Sequence, residues 1–165
     1  TLLVWELQKV WDEYGELALV RLNTFSDIPW EEILLIRDGQ PPISIFGLFP
    51  RMRFYDYTKW GVRAMDANLG AFEWPGNYRL VYSASEKTTD EGIVKQVLQG
   101  VNTAVLFDVP RGHNLPDSWE GVQVIDGDSS DARWFDAKYS VIGLRAKGRM
   151  RKGDWKMVRH VEAGV

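Results

Sequence analysis

The chain contains no cysteine among its 165 residues. This absence excludes disulfide bonds, thiolate zinc sites, cysteine nucleophiles and cysteine-ligated iron–sulfur clusters. Histidine is nearly as scarce, because His113 and His160 are the only two and lie far apart in the sequence. A metal site built from several histidines and a Ser–His–Asp catalytic triad are therefore not expected.

Long apolar runs are also missing. No stretch approaches the roughly 18 consecutive apolar residues of a membrane-spanning helix, and no signal peptide is visible. The sequence therefore predicts a cytoplasmic protein without a membrane segment. The chain begins at Thr1 rather than at methionine, which suggests a trimmed chain or a fragment.

An excess of positive charge is the third absence. The net charge of −3 provides no global field for non-specific nucleic-acid binding. From about residue 149, however, the chain has a locally basic C-terminal tail, which is interpreted either as a solvated segment or as a nucleic-acid contact. The length and the even composition predict a single domain over residues 1–165.

What the sequence does contain is an alternation of short apolar strands with helical stretches. Strands are predicted over residues 17–22, 52–57, 78–82, 103–107, 122–125 and 141–144. Helices are predicted over 2–14, from Asp27 through Ile36, in a short turn around Ile45, over 62–67 and after the capping box Thr88-x-x-Glu91. On one of two interpretations of the segment before it, a further helix covers Ala132–Asp136. Residues 109–121 are predicted to be a loop insertion.

Strands separated by helices favour parallel pairing, because parallel neighbours need a crossover connection. A complete eight-stranded (β/α) barrel usually takes at least about 200 residues. The predicted fold is therefore α/β, either a partial (β/α) barrel or an open, mostly parallel sheet of about six strands flanked by helices. An open sheet has free edges, so a homodimer formed through an edge is a further expectation.

Polar clusters follow nearly every predicted strand. The carboxyl ends of parallel strands meet at one edge of a sheet, so we expect these clusters to converge there. The carboxylates of such a site repel one another unless they are protonated, paired with Lys or Arg, or bridged by a hard cation such as Mg²⁺ or Mn²⁺. The candidate ligand-binding residues are Asn23, Ser26, Asp27, Tyr57, Lys59, Ser83, Ser85, Glu86 and Arg145.

The segment Asp-Gly-Asp-Ser-Ser-Asp after the strand at 122–125 places three carboxylates within six positions. It does not match the calcium loop of an EF-hand. One interpretation is turn chemistry followed by a helix cap. The other is a metal or substrate contact, with Asp126, Asp128 and Asp131 as metal ligands. The candidate catalytic residues are Asp126, Asp128, Lys147 and Asp56.

Five segments together resemble an uncharacterised family of bacteriophages and prophages, the gene product 88 proteins. They are RLNTFSDIPWEE, FYDYTK, YSASE, VIDGDSSD and VIGLRAKGRMRK, and they extend from about Arg21 to Lys152. The resemblance implies a partial barrel distantly related to the radical S-adenosylmethionine enzymes, but no established reaction. Many relatives carry N-terminal cysteines, so their absence here predicts that no iron–sulfur cluster is bound and that the chain is short or truncated. The family positions found here are Asn23, Ser26, Asp27, Asp56, Tyr57, Lys59, Ser83, Ser85, Glu86, Asp126, Asp128, Asp131, Arg145 and Lys147.

Two functional hypotheses follow from the sequence. The first is an enzyme that binds a small anionic ligand, phosphorylated or nucleotide-like, at the carboxyl ends of the strands. In it, Asp126 and Asp128 hold a metal ion or act as a base, a set of cations holds the anion, and a set of carboxylates orients the ligand. The cations are Lys59, Arg145 and Lys147, and the orienting carboxylates are Asp27, Asp56 and Glu86. The alternative is a non-catalytic protein that contacts nucleic acid or a host protein through the basic tail and exposed aromatic side chains.

Overall fold

A computed structural model describes residues 2–70, 74–151 and 155–161 of the chain. Part of the basic tail, residues 152–154, lies outside these ranges. Ten strands are described: β1 Leu19–Arg21, β2 Leu34–Arg37, β3 Gln40–Ser44, β4 Arg53–Thr58, β5 Tyr78–Ser83, β6 Thr103–Phe107, β7 Ser118–Trp119, β8 Val122–Asp126, β9 Ser140–Arg145 and β10 Val158–Arg159. The α-helices are α1 Leu2–Tyr14, α2 Ile45–Leu48, α3 Gly61–Leu69 and α4 Asp90–Leu98.

The main sheet is mostly parallel and open. Its strands follow the order β1-β4-β5-β6-β9-β8-β7, and β10 also pairs with β6. All pairs are parallel except β7 with β8, which form an antiparallel hairpin. The six strands predicted from the sequence are the six longer parallel strands of this sheet, so the predicted α/β class and parallel pairing are confirmed. The described strands do not close into a barrel, because β1 and β7 form two edges.

All four described helices pack on one face of the sheet, here called the helical face. Phe54 and Tyr78 contact Leu7 of α1 and Phe46 of α2 in one apolar cluster. Further along, Val105 packs with the buried side of α4. Strand alternation and register place these strand side chains on the same face. Helices on a single face of a parallel sheet are typical of (β/α) barrels, but the described strands of this sheet do not close.

The other face of the sheet is covered by the connection between β8 and β9. This crossing segment, residues 127–139, contains only a short 3-10 helix, Arg133–Phe135, where a longer helix was predicted. The Tyr55 hydroxyl donates to Asp131 Oδ2 at 3.1 Å. Arg79, which is paired with Tyr55 in the register of β4 and β5, donates from Nη1 to the carbonyl of Trp134 at 2.6 Å. Hydrogen bonds from two neighbouring strands therefore fasten the crossing segment to this face of the sheet.

The predicted helix from Asp27 through Ile36 is wrong. The structure has a 3-10 turn, Trp30–Glu32, followed by β2, which pairs with β3 in a separate hairpin. Asp38-Gly39 forms the turn of this hairpin, and Gly39 has a φ of +71°, which glycine adopts without strain. The apolar run from Ile33 to Ile36 is too short to distinguish helix from strand by periodicity.

Two smaller predictions also need correction. The loop insertion at 109–121 contains β7, which pairs with β8. The cap of α4 is Thr89 rather than Thr88, because the Thr89 hydroxyl accepts from the backbone of Gly92. Within the described residues no helix has the length and apolar character that a bilayer crossing requires.

Candidate functional site

The predicted site residues lie at the carboxyl-end edge of the sheet, but in two groups. Tyr57 and Ser83 point to the face that carries the crossing segment, because Tyr57 pairs with Val81 and packs in the cluster on that face. Arg145 pairs with Phe107, which packs beside α4 on the helical face. Strand alternation thus separates the groups to opposite sides of one edge.

The first group lines a cavity of about 360 Å³, here called the edge pocket. Six of the predicted ligand-binding residues contribute to it, together with four others. The ten lining residues are Arg21, Asn23, Thr24, Phe25, Ser26, Asp27, Tyr57, Thr58, Lys59 and Ser83. They come from the ends of three neighbouring strands, so parallel pairing brings them together as the sequence predicts.

Asn23 holds the loop that forms one wall of the edge pocket. Its Oδ1 accepts from Ser26 Oγ at 2.8 Å, from the backbone N–H of Ile28 at 3.3 Å and from Trp30 Nε1 at 3.0 Å. Its Nδ2 donates to the carbonyl of Ile28 at 3.0 Å. The buried amide accepts three hydrogen bonds and donates one within the loop, so Asn23 chiefly shapes the loop.

Asp27 anchors the same loop to β4 and α3. Its Oδ2 accepts from the Thr58 hydroxyl at 3.0 Å and from the backbone N–H of Lys59 at 2.8 Å. Its Oδ1 accepts from Arg63 Nη1 at 2.7 Å. No helix begins at Asp27, and its carboxylate instead fixes the backbone from which the Lys59 side chain starts.

Arg63 connects this anchor to the interior of the protein. It makes a bidentate pair with Glu31, with Nε–Oε1 at 2.5 Å and Nη2–Oε2 at 2.7 Å. Its Nη2 also donates to the hydroxyl of Tyr78 at 3.1 Å. Burial lowers the pKa of Arg63, but the hydrogen bond and charge of Glu31 raise it overall, so the guanidinium stays protonated.

Asp56 lies beneath the edge pocket and has no solvent contact. Its Oδ1 accepts from the backbone N–H of Asn23 at 2.7 Å, and its Oδ2 accepts from the Tyr78 hydroxyl at 2.9 Å. Burial raises the pKa of Asp56 to about 6, against the opposing effect of these two hydrogen bonds. The carboxyl group therefore supports the pocket from below and does not line it.

Four polar groups remain available to a ligand in the edge pocket. Within the described part of the chain, the Lys59 ammonium, the Ser83 hydroxyl and the Tyr57 hydroxyl make no hydrogen bond or ion pair. Arg21 donates from Nε to the carbonyl of Asn23 at 3.1 Å and lies over the Tyr57 ring at 4.7 Å. Its Nη1 lies 3.8 Å from Asp131 Oδ2, a weak ion pair that leaves the N–H groups of both terminal nitrogens without a hydrogen bond among the described residues. Burial raises the pKa of Tyr57 to about 12, so its hydroxyl is a donor at neutral pH.

The second group is organised by Arg145. Its Nη1 and Nη2 hold Asp126 in a bidentate pair at 2.9 Å each, and Nη1 also reaches Asp128 Oδ2 at 3.3 Å. Nε and Nη2 donate to the carbonyl of His113 at 3.0 and 2.8 Å. All five guanidinium N–H groups are therefore used by the protein, and Arg145 ties the loop after β6 to the loop after β8.

Lys147 completes this cluster through an ion pair with Asp128, at 3.1 Å between Nζ and Oδ1. The hydrogen bond from Arg145 lowers the pKa of Asp126. Burial raises the pKa of Asp128, but the hydrogen bonds from Arg145 and Lys147 lower it overall. A cavity of about 700 Å³ lies beside the cluster, between Lys147 and the loop that carries His113.

The remaining candidates line neither cavity. The carboxylate of Asp131 accepts from Tyr55 and lies 3.8 Å from Arg21 Nη1. Ser85 forms the turn after β5 through Thr88, and the neighbouring Glu86 is exposed. No group of three or more acidic or histidine side chains in the described ranges is arranged to hold a metal ion. A metal site at Asp126, Asp128 and Asp131 stays a prediction, and a cation there would compete with Arg145.

Sequence reasoning missed two arginines of this region. Arg21 interrupts an otherwise apolar strand, and that interruption was the available signal for an inward-facing functional cation. Arg63 lies on an amphipathic helix and is only 6% exposed. The sequence feature that could have indicated Arg63 is the pair Asp27 and Glu31, because two carboxylates at a partly buried edge require a counterion.

Fold and site together define an α/β protein with an open, mostly parallel sheet and a polar pocket at the carboxyl ends of its strands. The gene product 88 family matches residues 6–160, and the chain belongs to this family. The resemblance seen in the sequence is thereby confirmed at the level of the family, whereas the relation to radical S-adenosylmethionine enzymes is not supported. Neither a curated protein nor a solved structure matches the chain.

Proposed function

We propose that the edge pocket binds a small phosphorylated ligand, nucleotide-like compounds included. The observation that carries this proposal is the state of Lys59. Its backbone is fixed by Asp27, and its ammonium group has no partner among the described residues. A cation held beside a cavity without a counterion is suited to an anion.

The neighbouring groups fit the same chemistry. The terminal nitrogens of Arg21 offer N–H donors, and the Ser83 and Tyr57 hydroxyls add two more donors at the wall. Phosphate oxygens accept hydrogen bonds from such donors. A cavity of about 360 Å³ lies at the lower end of the roughly 300–1,000 Å³ found for small-molecule sites, which favours a compact ligand.

The acidic residues of the first hypothesis have supporting roles in this proposal. Asp27 and Asp56 position the wall and floor of the pocket, and Asp126 and Asp128 neutralise Arg145. The proposal is therefore one of binding and assigns no reaction. A divalent cation would enter only with the phosphate of the ligand, as it does in many phosphate sites.

The test is a calorimetric titration with inorganic phosphate and with ribose 5-phosphate. We expect Lys59→Gln to weaken the binding of both about tenfold or more, because a charged hydrogen bond contributes about 1.5–3 kcal/mol. Lys138→Gln is the matched control, since Lys138 is an exposed lysine just before β9, at the opposite end of the strands. Absence of binding, or equal effects of the two substitutions, would reject the proposal.

A further inference from the structure

Phe25 is the most exposed large apolar side chain in the described part of the protein, and it lines the edge pocket. Its side chain is 101% exposed. A phenylalanine usually buries most of its ring, so complete exposure forgoes the stabilisation that burial provides. Its position at the pocket mouth therefore calls for a physical explanation.

A loose loop does not explain this exposure. The chain is anchored just before Phe25, where the Asn23 backbone donates to Asp56. It is anchored again just after, where Asp27 is held by Arg63 and Thr58. Only three residues separate the two anchors, and one of them, Ser26, is itself bonded to Asn23. The anchored backbone therefore places Phe25 at the mouth of the edge pocket, where its side chain is exposed.

We infer that the phosphorylated ligand carries a planar aromatic ring, as a mononucleotide does, and that this ring stacks on Phe25. The inference rests on the proposed function and narrows its ligand class. The phosphate occupies the cavity beside Lys59 and Arg21, and the base lies at the mouth, where Phe25 offers a free ring face. Base–aromatic stacking of this kind tolerates any base, because every base has a π face.

The test compares AMP with ribose 5-phosphate, which share the phosphate and the sugar and differ by the base. We expect the wild-type protein to bind AMP more tightly in a calorimetric titration. Phe25→Leu keeps an apolar side chain but removes the ring, so it should weaken AMP binding about 5- to 150-fold. Binding of ribose 5-phosphate should stay unchanged, and Phe25→Trp should retain AMP binding.

Phe135→Leu is the matched control. Phe135 is an exposed phenylalanine on the crossing segment, does not line the edge pocket, and its replacement should leave both affinities unchanged. Equal affinity of the wild type for the two ligands would overturn the stacking inference, and so would an equal loss of both affinities in Phe25→Leu. In either case, binding of both ligands by the wild type would still support the proposed phosphate site. If neither ligand binds, the proposed function fails and the inference fails with it.

Discussion

At the scale of single residues, Asp56 shows how the pocket is supported at an energetic cost. A fully buried carboxylate is unfavourable unless hydrogen bonds compensate for lost hydration. Asn23 and Tyr78 supply two such bonds, yet the pKa of Asp56 still rises to about 6. At neutral pH, the ionised carboxylate of Asp56 therefore lowers the stability of the folded state.

This pKa makes stability depend on pH with a definite sign. In the unfolded chain the Asp56 carboxyl ionises near its ordinary pKa of 3.8, and in the folded protein near 6. The protonated Asp56 carboxyl group therefore makes its full contribution to the unfolding free energy below about pH 4, and this contribution is lost as the pH rises through 6. The two pKa values correspond to about 3 kcal/mol of unfolding free energy across this interval.

Asp56→Asn should remove that pH dependence, because an amide does not titrate. We expect the difference in unfolding free energy between wild type and variant to shift by about 3 kcal/mol in favour of the variant between pH 4 and pH 7. Urea denaturation at closely spaced pH values measures this difference. Comparing the two proteins cancels the opposite contribution of Asp126 and Asp128, whose pKa values are lowered. A constant difference across the interval would contradict the buried, protonatable state of Asp56.

At the scale of elements, the crossing segment replaces the helices that would cover the second face of a doubly wound sheet. It can lie close to β9 because its first residue is Gly127. A Cβ atom there would lie 2.5 Å from Ile142 Cγ2 and 2.9 Å from the carbonyl oxygen of Gly143. The backbone of Gly127 also donates to that carbonyl at 2.8 Å, so the close approach is part of the sheet's hydrogen bonding.

Gly127→Ala should therefore destabilise the protein by about 1–3 kcal/mol, through overpacking against Ile142 and the β9 backbone. Gly76→Ala is the matched control. Nothing lies within 4 Å of a Cβ placed at Gly76, so that substitution should cost little. Thermal and urea unfolding of both variants measure the difference, and equal midpoints would argue against the tight seating of the crossing segment.

The elements also show what the sequence can predict here. The strands β4, β5, β6, β8 and β9 were predicted within two residues, because each is an apolar run bounded by polar turn residues. The hairpin of β2 and β3 was missed, because Asp27, Pro29 and two glutamates imitate a helix start. In the fold, Asp27 and Glu31 are held by Arg63, a tertiary contact that local pattern does not encode.

The candidate site was predictable to a similar degree. Parallel pairing brought Asn23, Tyr57 and Ser83 to one cavity, as the edge argument requires. The candidate residues fall into two groups because their side chains point to different faces of the sheet. The hydrogen-bond donors of Arg145 are all used only because two of them reach the carbonyl of His113. Neither can be read from spacing along the chain, because both arise from pairing between distant segments.

At the scale of the whole molecule, the sheet is completed by the end of the described chain. Strand β5 pairs with only the first two residues of β6, and β10 pairs with the last two. Arg159 is fixed there, since its Nε donates to Asp90 at 2.5 Å and its carbonyl accepts from the backbone of Asp108. At this position, the basic C-terminal segment is therefore part of the fold.

Val158→Asp tests whether β10 is integral to the fold. Val158 is only 5% exposed, so the substitution would bury an unpaired carboxylate or expel the strand from β6. We expect a loss of unfolding free energy on the order of 3 kcal/mol, in a single cooperative urea transition, with faster amide exchange in β6. Lys156→Asp adds the same side chain at an exposed position two residues earlier and should have a much smaller effect. If β10 were a detachable tail, both variants would unfold at the wild-type midpoint, and the C-terminal segment would be free to contact nucleic acid, as the sequence also allowed.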